Sequence, residues 1–136
     1  SDPNYLEKSI HGNKEYQERM NTWLLEFETF KETAGAIPII LLVIPHASQV
    51  NENHRKNLKA CGAIFKTDLN SSGFVNTLKE KYPEMKILDP SISFSKRSLL
   101  KSDLYYQNDP HLTKEGQSVL GNWIYKELEK WNRYIL

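Results

Sequence analysis

The chain has 136 residues, 39% hydrophobic and 26% charged, a composition typical of one folded globular domain and not of a disordered segment. Eighteen basic side chains nearly balance seventeen acidic ones, and this net charge of +1 argues against a protein built to bind nucleic acid or an acidic membrane through charge. The single cysteine, Cys61, cannot form an internal disulfide, and we interpret it as a buried small apolar residue and not as a nucleophile.

The first half of the chain predicts one long helix and one buried strand. Residues 1–13 are mostly polar and include a proline and a glycine, which indicates a loop or a short helix. From Glu15 to Gly35 the apolar residues recur at helical spacing and share one face: Tyr16, Met20, Trp23, Leu24, Phe27 and Phe30. The run "AIPIILLVI" (36–44), closed by Pro45, predicts a strand covered on both faces, and it is far shorter than the roughly 20 residues of a membrane span.

Further helices and a second strand are predicted downstream. Residues 47–62 indicate a loop followed by a modest helix that ends at Gly62, and residues 63–65 are a short strand candidate. Residues 71–83 combine a helical period with a serine cap and a proline stop. Residues 85–90 predict a second buried strand.

The C-terminal part predicts a long irregular connection over residues 91–109 and a last helix that begins near Thr113. The apolar face of that helix comprises Val119, Leu120, Trp123, Ile124, Leu128 and Trp131. Helices that alternate with short buried strands are typical of an α/β domain with a parallel sheet, which predicts one such domain over residues 1–136. Because two strands make a thin sheet, either further strands escape the pattern or the chain belongs to a larger sheet.

Asp109-Pro110-His111 precedes the last helix, in the kind of loop where open α/β sheets gather reactive residues. A carboxylate close to a histidine can hydrogen-bond one ring nitrogen, which fixes the tautomer and leaves the other nitrogen to take a proton from a nucleophile. The same string also suits a polar turn, in which the aspartate caps the backbone and the histidine packs beside it. Spacing alone leaves both interpretations open.

The stretch "DLYYQNDPHLTKEGQSVLGNWIYKEL" (103–128) resembles the last conserved block of the SGNH, or GDSL-type, hydrolases. The positions in register are Asp109, His111, Leu112, Gly116, Ile124 and Leu128. Upstream, residues 15–45 and 62–90 resemble two successive helix-and-strand units of that family. The resemblance covers most of residues 15–132 and implies a three-layer α/β/α fold with a mostly parallel, flavodoxin-like sheet, incomplete in this chain.

The resemblance further implies serine ester chemistry of the esterase, lipase or O-acyltransferase type. A serine would attack an acyl carbon, His111 would act as general base and then as general acid, and Asp109 would orient the imidazole. The substrate would be a small-molecule, carbohydrate or lipid ester, and no cofactor or metal is implied. The sequence does not tell whether the acyl group goes to water or to a second alcohol, which ester is the substrate, or in which cellular compartment the protein acts.

The family's nucleophile has no counterpart in this sequence. It belongs to a G-D-S block that follows the family's first strand, and the 136 residues contain no G-D-S. "GQSVL" (116–120) departs from the nucleophile-elbow pattern and lies within a helical period, while Ser48, Ser71 and Ser72 have no supporting motif. The simplest hypothesis is a C-terminal portion of an SGNH-type domain whose serine lies outside this chain. The alternative is a non-catalytic α/β interaction module that has lost the nucleophile.

His46 and Asp89 are further candidates for a substrate-binding site. His46 follows the first predicted strand directly and Asp89 ends the second, so both would lie at the carboxyl edge of the sheet. The plain alternatives are a solvated loop histidine and an aspartate that caps the turn at Pro90. The sequence leaves both pairs of interpretations open.

No metal site or nucleic-acid surface is predicted. His46, His54 and His111 match no compact metal-binding signature, and the lysines and arginines are dispersed without a basic stripe. An incomplete domain would expose a sheet edge or an apolar patch, where another copy of the chain could associate.

Overall fold

The computed structural model of the protein describes residues 4, 7–8, 14–65, 72–99, 103–107 and 109–132. Over these residues the elements follow in the order α1 (Lys14–Ala34), β1 (Ile40–Leu42), α2 (Ala47–Val50), α3 (Glu52–Ala60), α4 (Ser72–Lys81), β2 (Lys86–Leu88), α5 (Ser91–Leu99) and α6 (Lys114–Asn132). The predicted loop or short helix at residues 1–13 lies largely outside the described residues, as does the serine cap predicted at Ser71.

The sheet consists of β1 and β2, which pair in parallel with Ile40 opposite Lys86 and Leu42 opposite Leu88. No further strand joins them in the part of the chain that the structure describes. The expected three-layer α/β/α fold with a mostly parallel, flavodoxin-like sheet is therefore wrong, because the chain is mainly helical around two short strands.

The apolar run at residues 36–44 yields a strand of only 3 residues. Proline lacks a backbone N–H, so Pro38 and Pro45 limit the pairing from both sides. Ile37 is exposed and Ile40 keeps 37% of its surface accessible, so the run is not covered along its length. Even its middle, Leu41 to Val43, is only partly buried, so the predicted coverage on both faces is incomplete.

Three other local predictions are wrong. Cys61, expected to be buried, is exposed at the end of α3. Residues 63–65 do not form a strand, and the connection expected to be irregular contains α5. α5 begins directly after Pro90, whose missing N–H costs nothing at a helix start, and it is anchored by the fully buried Phe94. Its sequence, SISFSKRSL, is rich in serine, a modest helix former, so packing of Phe94 and not intrinsic propensity accounts for the helix.

Two hydrophobic clusters lie on opposite faces of the sheet. The first joins α1 to the end of α4 through Met20, Leu24, Phe27, Leu78 and Tyr82. The second joins α2, α5 and α6 through Ala47, Val50, Phe94, Leu104, Tyr105 and Leu120. Successive strand residues point to opposite faces, so Leu41 packs on the first cluster and Leu42 on the second.

Residues 105–112 form a hairpin that leads into α6, with residue 108 outside the described part. An antiparallel bridge pairs Tyr105 with Leu112, and the backbone N–H of Tyr106 donates to the carbonyl of His111 at 3.2 Å. The buried hydroxyl of Tyr105 donates to the carbonyl of Pro45 at 2.6 Å, which ties the hairpin to the chain just beyond β1.

The start of α6 is fixed by a cap and by a close backbone approach. The Thr113 hydroxyl accepts from the N–H of Gly116 at 3.0 Å and donates to the carbonyl of Asp103 at 2.6 Å. Gly116 packs directly on the backbone of Leu104: an added Cβ would lie 2.9 Å from the carbonyl carbon of Leu104 and closer still to its oxygen. This position accepts only glycine without a shift of the backbone.

We expect Gly116→Ala to destabilise the protein by about 1–3 kcal/mol or more, because the new methyl group overlaps a backbone carbonyl that cannot move aside. Gly121→Ala on the same helix is the matched control. An added Cβ at Gly121 meets no atom within 4 Å, so this change should stabilise the protein by about 0.5–1 kcal/mol. Urea unfolding of the two variants measures both effects, and a stable Gly116→Ala protein would contradict the packing described.

Tyr105→Phe should cost about 1–3 kcal/mol, because it leaves the buried carbonyl of Pro45 without its donor. Tyr106→Phe changes the adjacent residue, which is exposed, and should alter the free energy of unfolding little. Thermal or urea unfolding checks the pair, and equal stabilities of the two variants would show that the Tyr105 bond contributes nothing.

Candidate functional site

Asp109 and His111 contact each other near the tip of the hairpin. One carboxylate oxygen of Asp109, Oδ1, accepts from the backbone N–H of His111 at 2.8 Å and also contacts Nδ1 of the imidazole. The Asp109 side chain is 52% exposed and the His111 side chain is 82% exposed. The same oxygen therefore caps a tight turn and holds the imidazole ring, as both interpretations of Asp109-Pro110-His111 require.

The contact defines which imidazole nitrogen can accept a proton. The hydrogen bonds from His111 hold the pKa of the Asp109 carboxyl below its usual value. The bond from the backbone N–H has the largest effect and the bond from the imidazole the next largest, so the carboxyl is ionised at neutral pH. An ionised carboxylate can only accept a hydrogen bond, so in the neutral ring Nδ1 carries the proton and Nε2 is the basic nitrogen. In the described part of the chain, Nε2 has no hydrogen-bond partner.

His46 caps the short helix α2. Its Nδ1 accepts from the N–H of Ser48 at 3.3 Å and lies 2.9 Å from the Ser48 hydroxyl, while the Gln49 side chain accepts from the N–H of His46 at 2.6 Å. This serine–histidine contact superficially resembles a nucleophile and its base. Ser48 is 0% exposed, however, so the contact stabilises the turn and offers no surface to an acyl group.

Asp89 caps the start of α5. Its Oδ1 accepts from the N–H of Ser91 at 2.9 Å and contacts the hydroxyl of the same residue. In the described residues no hydrogen bond or ion pair joins His46 or Asp89 to Asp109 or His111. Of the four site residues expected from the sequence, Asp109 and His111 are therefore the pair in direct contact with each other.

An open cleft of about 580 Å³ lies beside the hairpin, between α3 and residues 103–107. Its lining consists of Asn51, Asn53, His54, Lys56, Asn57, Asp103, Tyr105, Tyr106, Gln107 and Thr113. Neither Asp109 nor His111 belongs to this lining, but Tyr106 and Thr113 flank them in the chain. Within this lining, the His54 ring packs edge-on against Tyr105, with ring centroids 6.2 Å apart.

Sequence reasoning did not identify this cleft. The one signal for it is the concentration of amides in "NENHRKN" (51–57), which we interpreted as loop and helix. The first of them has a structural task, because the side-chain oxygen of Asn51, Oδ1, caps α3 by accepting from the N–H groups of Asn53 and His54. The facing residues, 103–107, come from the opposite end of the chain.

The described residues offer neither a cluster of metal ligands nor a membrane-spanning helix. No group of three or more His, Cys, Asp and Glu side chains has an arrangement that could hold a metal ion there. None of the described helices combines the length and the apolar character that crossing a bilayer requires.

Stability should fall as the pH is lowered from about 7 towards 5. Burial lowers the pKa of His46, with a smaller effect of nearby His54, and burial also lowers the pKa of His54. In the unfolded chain both titrate near the ordinary value of 6.5. The unfolded state therefore binds protons first, so the full stability is present above this value and is lost as the pH falls towards the folded-state pKa.

The melting temperature from pH 5.0 to 7.5, followed by circular dichroism, measures this dependence. The double variant His46→Asn/His54→Asn retains side-chain hydrogen-bonding groups and cannot titrate, so its melting temperature should change less over the same range. Identical slopes for the variant and the parent would show that other groups cause the pH dependence.

Comparisons of the chain with protein-family models, with curated proteins and with solved structures gave no match. The resemblance of residues 103–128 to SGNH hydrolases therefore stays a prediction from the sequence motif.

Proposed function

We propose that the chain carries the histidine and aspartate of an SGNH-type serine ester hydrolase or O-acyltransferase. His111 is the general base and then the general acid, Asp109 orients it, and the serine comes from a segment or chain outside these 136 residues. The observation that supports this most is the contact of Asp109 Oδ1 with Nδ1 of His111, which leaves Nε2 exposed and basic.

In this mechanism Nε2 of His111 takes the hydroxyl proton of the serine as its oxygen attacks the acyl carbon of the ester. The tetrahedral intermediate then collapses, and the imidazolium returns the proton to the departing alcohol. Water, or a second alcohol in acyl transfer, repeats the two steps on the acyl-serine. Asp109 stays ionised throughout and stabilises the imidazolium.

The exposure of the pair sets a condition on this chemistry. Charges that face bulk water interact weakly, and ester cleavage additionally needs donors that stabilise the oxyanion in a water-poor site. The segment that supplies the serine would therefore also have to cover His111 and provide those donors. The chain alone should be a poor catalyst.

The 136-residue chain should turn over p-nitrophenyl acetate no faster than the buffer blank. Joined to a serine-bearing segment, it should show a kcat that falls about 10²–10⁴-fold in His111→Ala, the typical contribution of general acid–base catalysis. Asp109→Asn should lower kcat as well, because the amide no longer favours the protonated Nδ1. Glu129→Gln removes another exposed carboxylate, on α6, and should leave kcat unchanged.

Two results would contradict the proposal. If the open reading frame that encodes the chain contained no G-D-S block and no partner supplied one, the pair would have no nucleophile to serve. If the 136-residue chain alone hydrolysed the ester and His111→Ala abolished that activity, the nucleophile would lie within the chain.

The second candidate is a non-catalytic interaction module. It is favoured by the sheet, in which each of the two strands has one neighbour among the described residues. It is also favoured by the exposure of Ile40, which begins β1, and of Ile44, two residues beyond its end. An unpaired strand edge can accept a strand from another copy or another protein. Sedimentation velocity separates the candidates: association of the chain with itself that His111→Ala leaves intact supports the module.

A further inference from the structure

We infer that the cleft between α3 and residues 103–107 binds a neutral, hydroxyl-rich ligand, namely a sugar ring, so that the proposed ester is a saccharide ester. The identification of the ester rests on the proposed function. The binding of the sugar does not, because it can be measured without turnover.

The hydrogen-bonding groups of the cleft match hydroxyl groups. The carboxamides of Asn53, Asn57 and Gln107 line it and form no side-chain hydrogen bond within the described residues. A carboxamide both donates and accepts, and so does each hydroxyl of a sugar, so neighbouring sugar hydroxyls can pair with one amide through two bonds. Such amides are uncommitted in the free protein and available to a ligand.

The charges of the cleft favour an uncharged ligand. Lys56 and Asp103 contribute one charge of each sign. Burial lowers the pKa of the His54 imidazole, so this ring is neutral at pH 7. Among the lining residues that the structure describes, a phosphate or carboxylate ligand would find no concentration of positive charge, as the anion sites of proteins normally provide.

The aromatic rings and the size of the cleft favour a sugar over an acyl chain. Tyr106 lines the cleft and is 54% exposed, so its ring is accessible to the C–H side of a sugar, while Tyr105 is held in place by Pro45 and His54. None of the described lining residues is an aliphatic one, as a lipid tail would require. The volume of about 580 Å³ is in the range of roughly 300–1,000 Å³ typical of small-molecule sites.

The cleft is linked to the Asp109–His111 pair through the backbone of Tyr106. Its N–H donates to the carbonyl of His111 at 3.2 Å, and its carbonyl accepts from the N–H of Asp109 at 3.2 Å. One residue therefore lines the cleft and also holds the turn that presents the imidazole. A sugar in the cleft would therefore lie against a residue whose backbone hydrogen-bonds to both members of the pair.

Titration of the ¹⁵N-labelled chain, followed by amide chemical shifts, tests the inference. The probes are methyl β-glucoside, xylose and N-acetylglucosamine, with glucose 6-phosphate and hexanoate as the charged and apolar comparisons. We expect millimolar binding of at least one neutral sugar, with shifts concentrated at residues 51–57 and 103–113, and weaker binding of both comparison compounds.

Variants locate the binding. Asn53→Ala/Asn57→Ala, two exposed changes on α3, should weaken sugar binding at least about tenfold, while circular dichroism verifies the fold. Asn76→Ala/Asn122→Ala removes two exposed helical asparagines outside the cleft and should leave the affinity unchanged.

Three results would overturn the inference: no shift with any neutral sugar, tighter binding of glucose 6-phosphate or hexanoate, or sugar binding that the α3 double variant does not weaken. None of them bears on turnover that depends on His111, which tests the proposed function separately. Conversely, sugar binding in a protein whose esterase activity is indifferent to His111→Ala would retain the cleft and reject the catalytic role.

Discussion

The hydrogen bond from the buried Tyr105 hydroxyl to the carbonyl of Pro45 joins parts of the chain that are 60 residues apart. Pro45 is fully buried, and a buried carbonyl needs a donor. Tyr105 supplies it from within an apolar cluster, where burial raises the pKa of its phenol well above the usual value and keeps the hydroxyl protonated. The hairpin, the cleft and the approach to α6 all depend on where this one side chain is held.

The sequence predicted those elements whose side chains carry a long periodic pattern. α1 and α6 have apolar faces that repeat over several turns, and α4 has a clear stop at Pro83, so these helices lie where expected. α5 has only Phe94 fully buried, and a single buried residue leaves no period to detect. Its helical state follows from the packing of Phe94 against Tyr105, a contact between residues that no local pattern links.

The sheet and the cleft show two different limits of such reasoning. An apolar run predicts that a segment will be buried but not how many strands will pair with it, and the run at residues 36–44 meets one partner over three positions. The Asp109–His111 contact was foreseeable because the two residues are near neighbours in the chain. The cleft was not, because its walls come from residues 51–57 and 103–107 and its exposed amides follow no period.

The contact of Gly116 with the backbone of Leu104 fixes the base of the hairpin, while Asp109 and His111 lie at its exposed tip and add little to the core. The residues that hold the fold and the residues proposed for chemistry are therefore nearly separate sets. Mutational drift could erase the tip without unfolding the protein, and a lineage could keep an intact, inert copy. In such a lineage, Gly116 would persist after His111 had been lost.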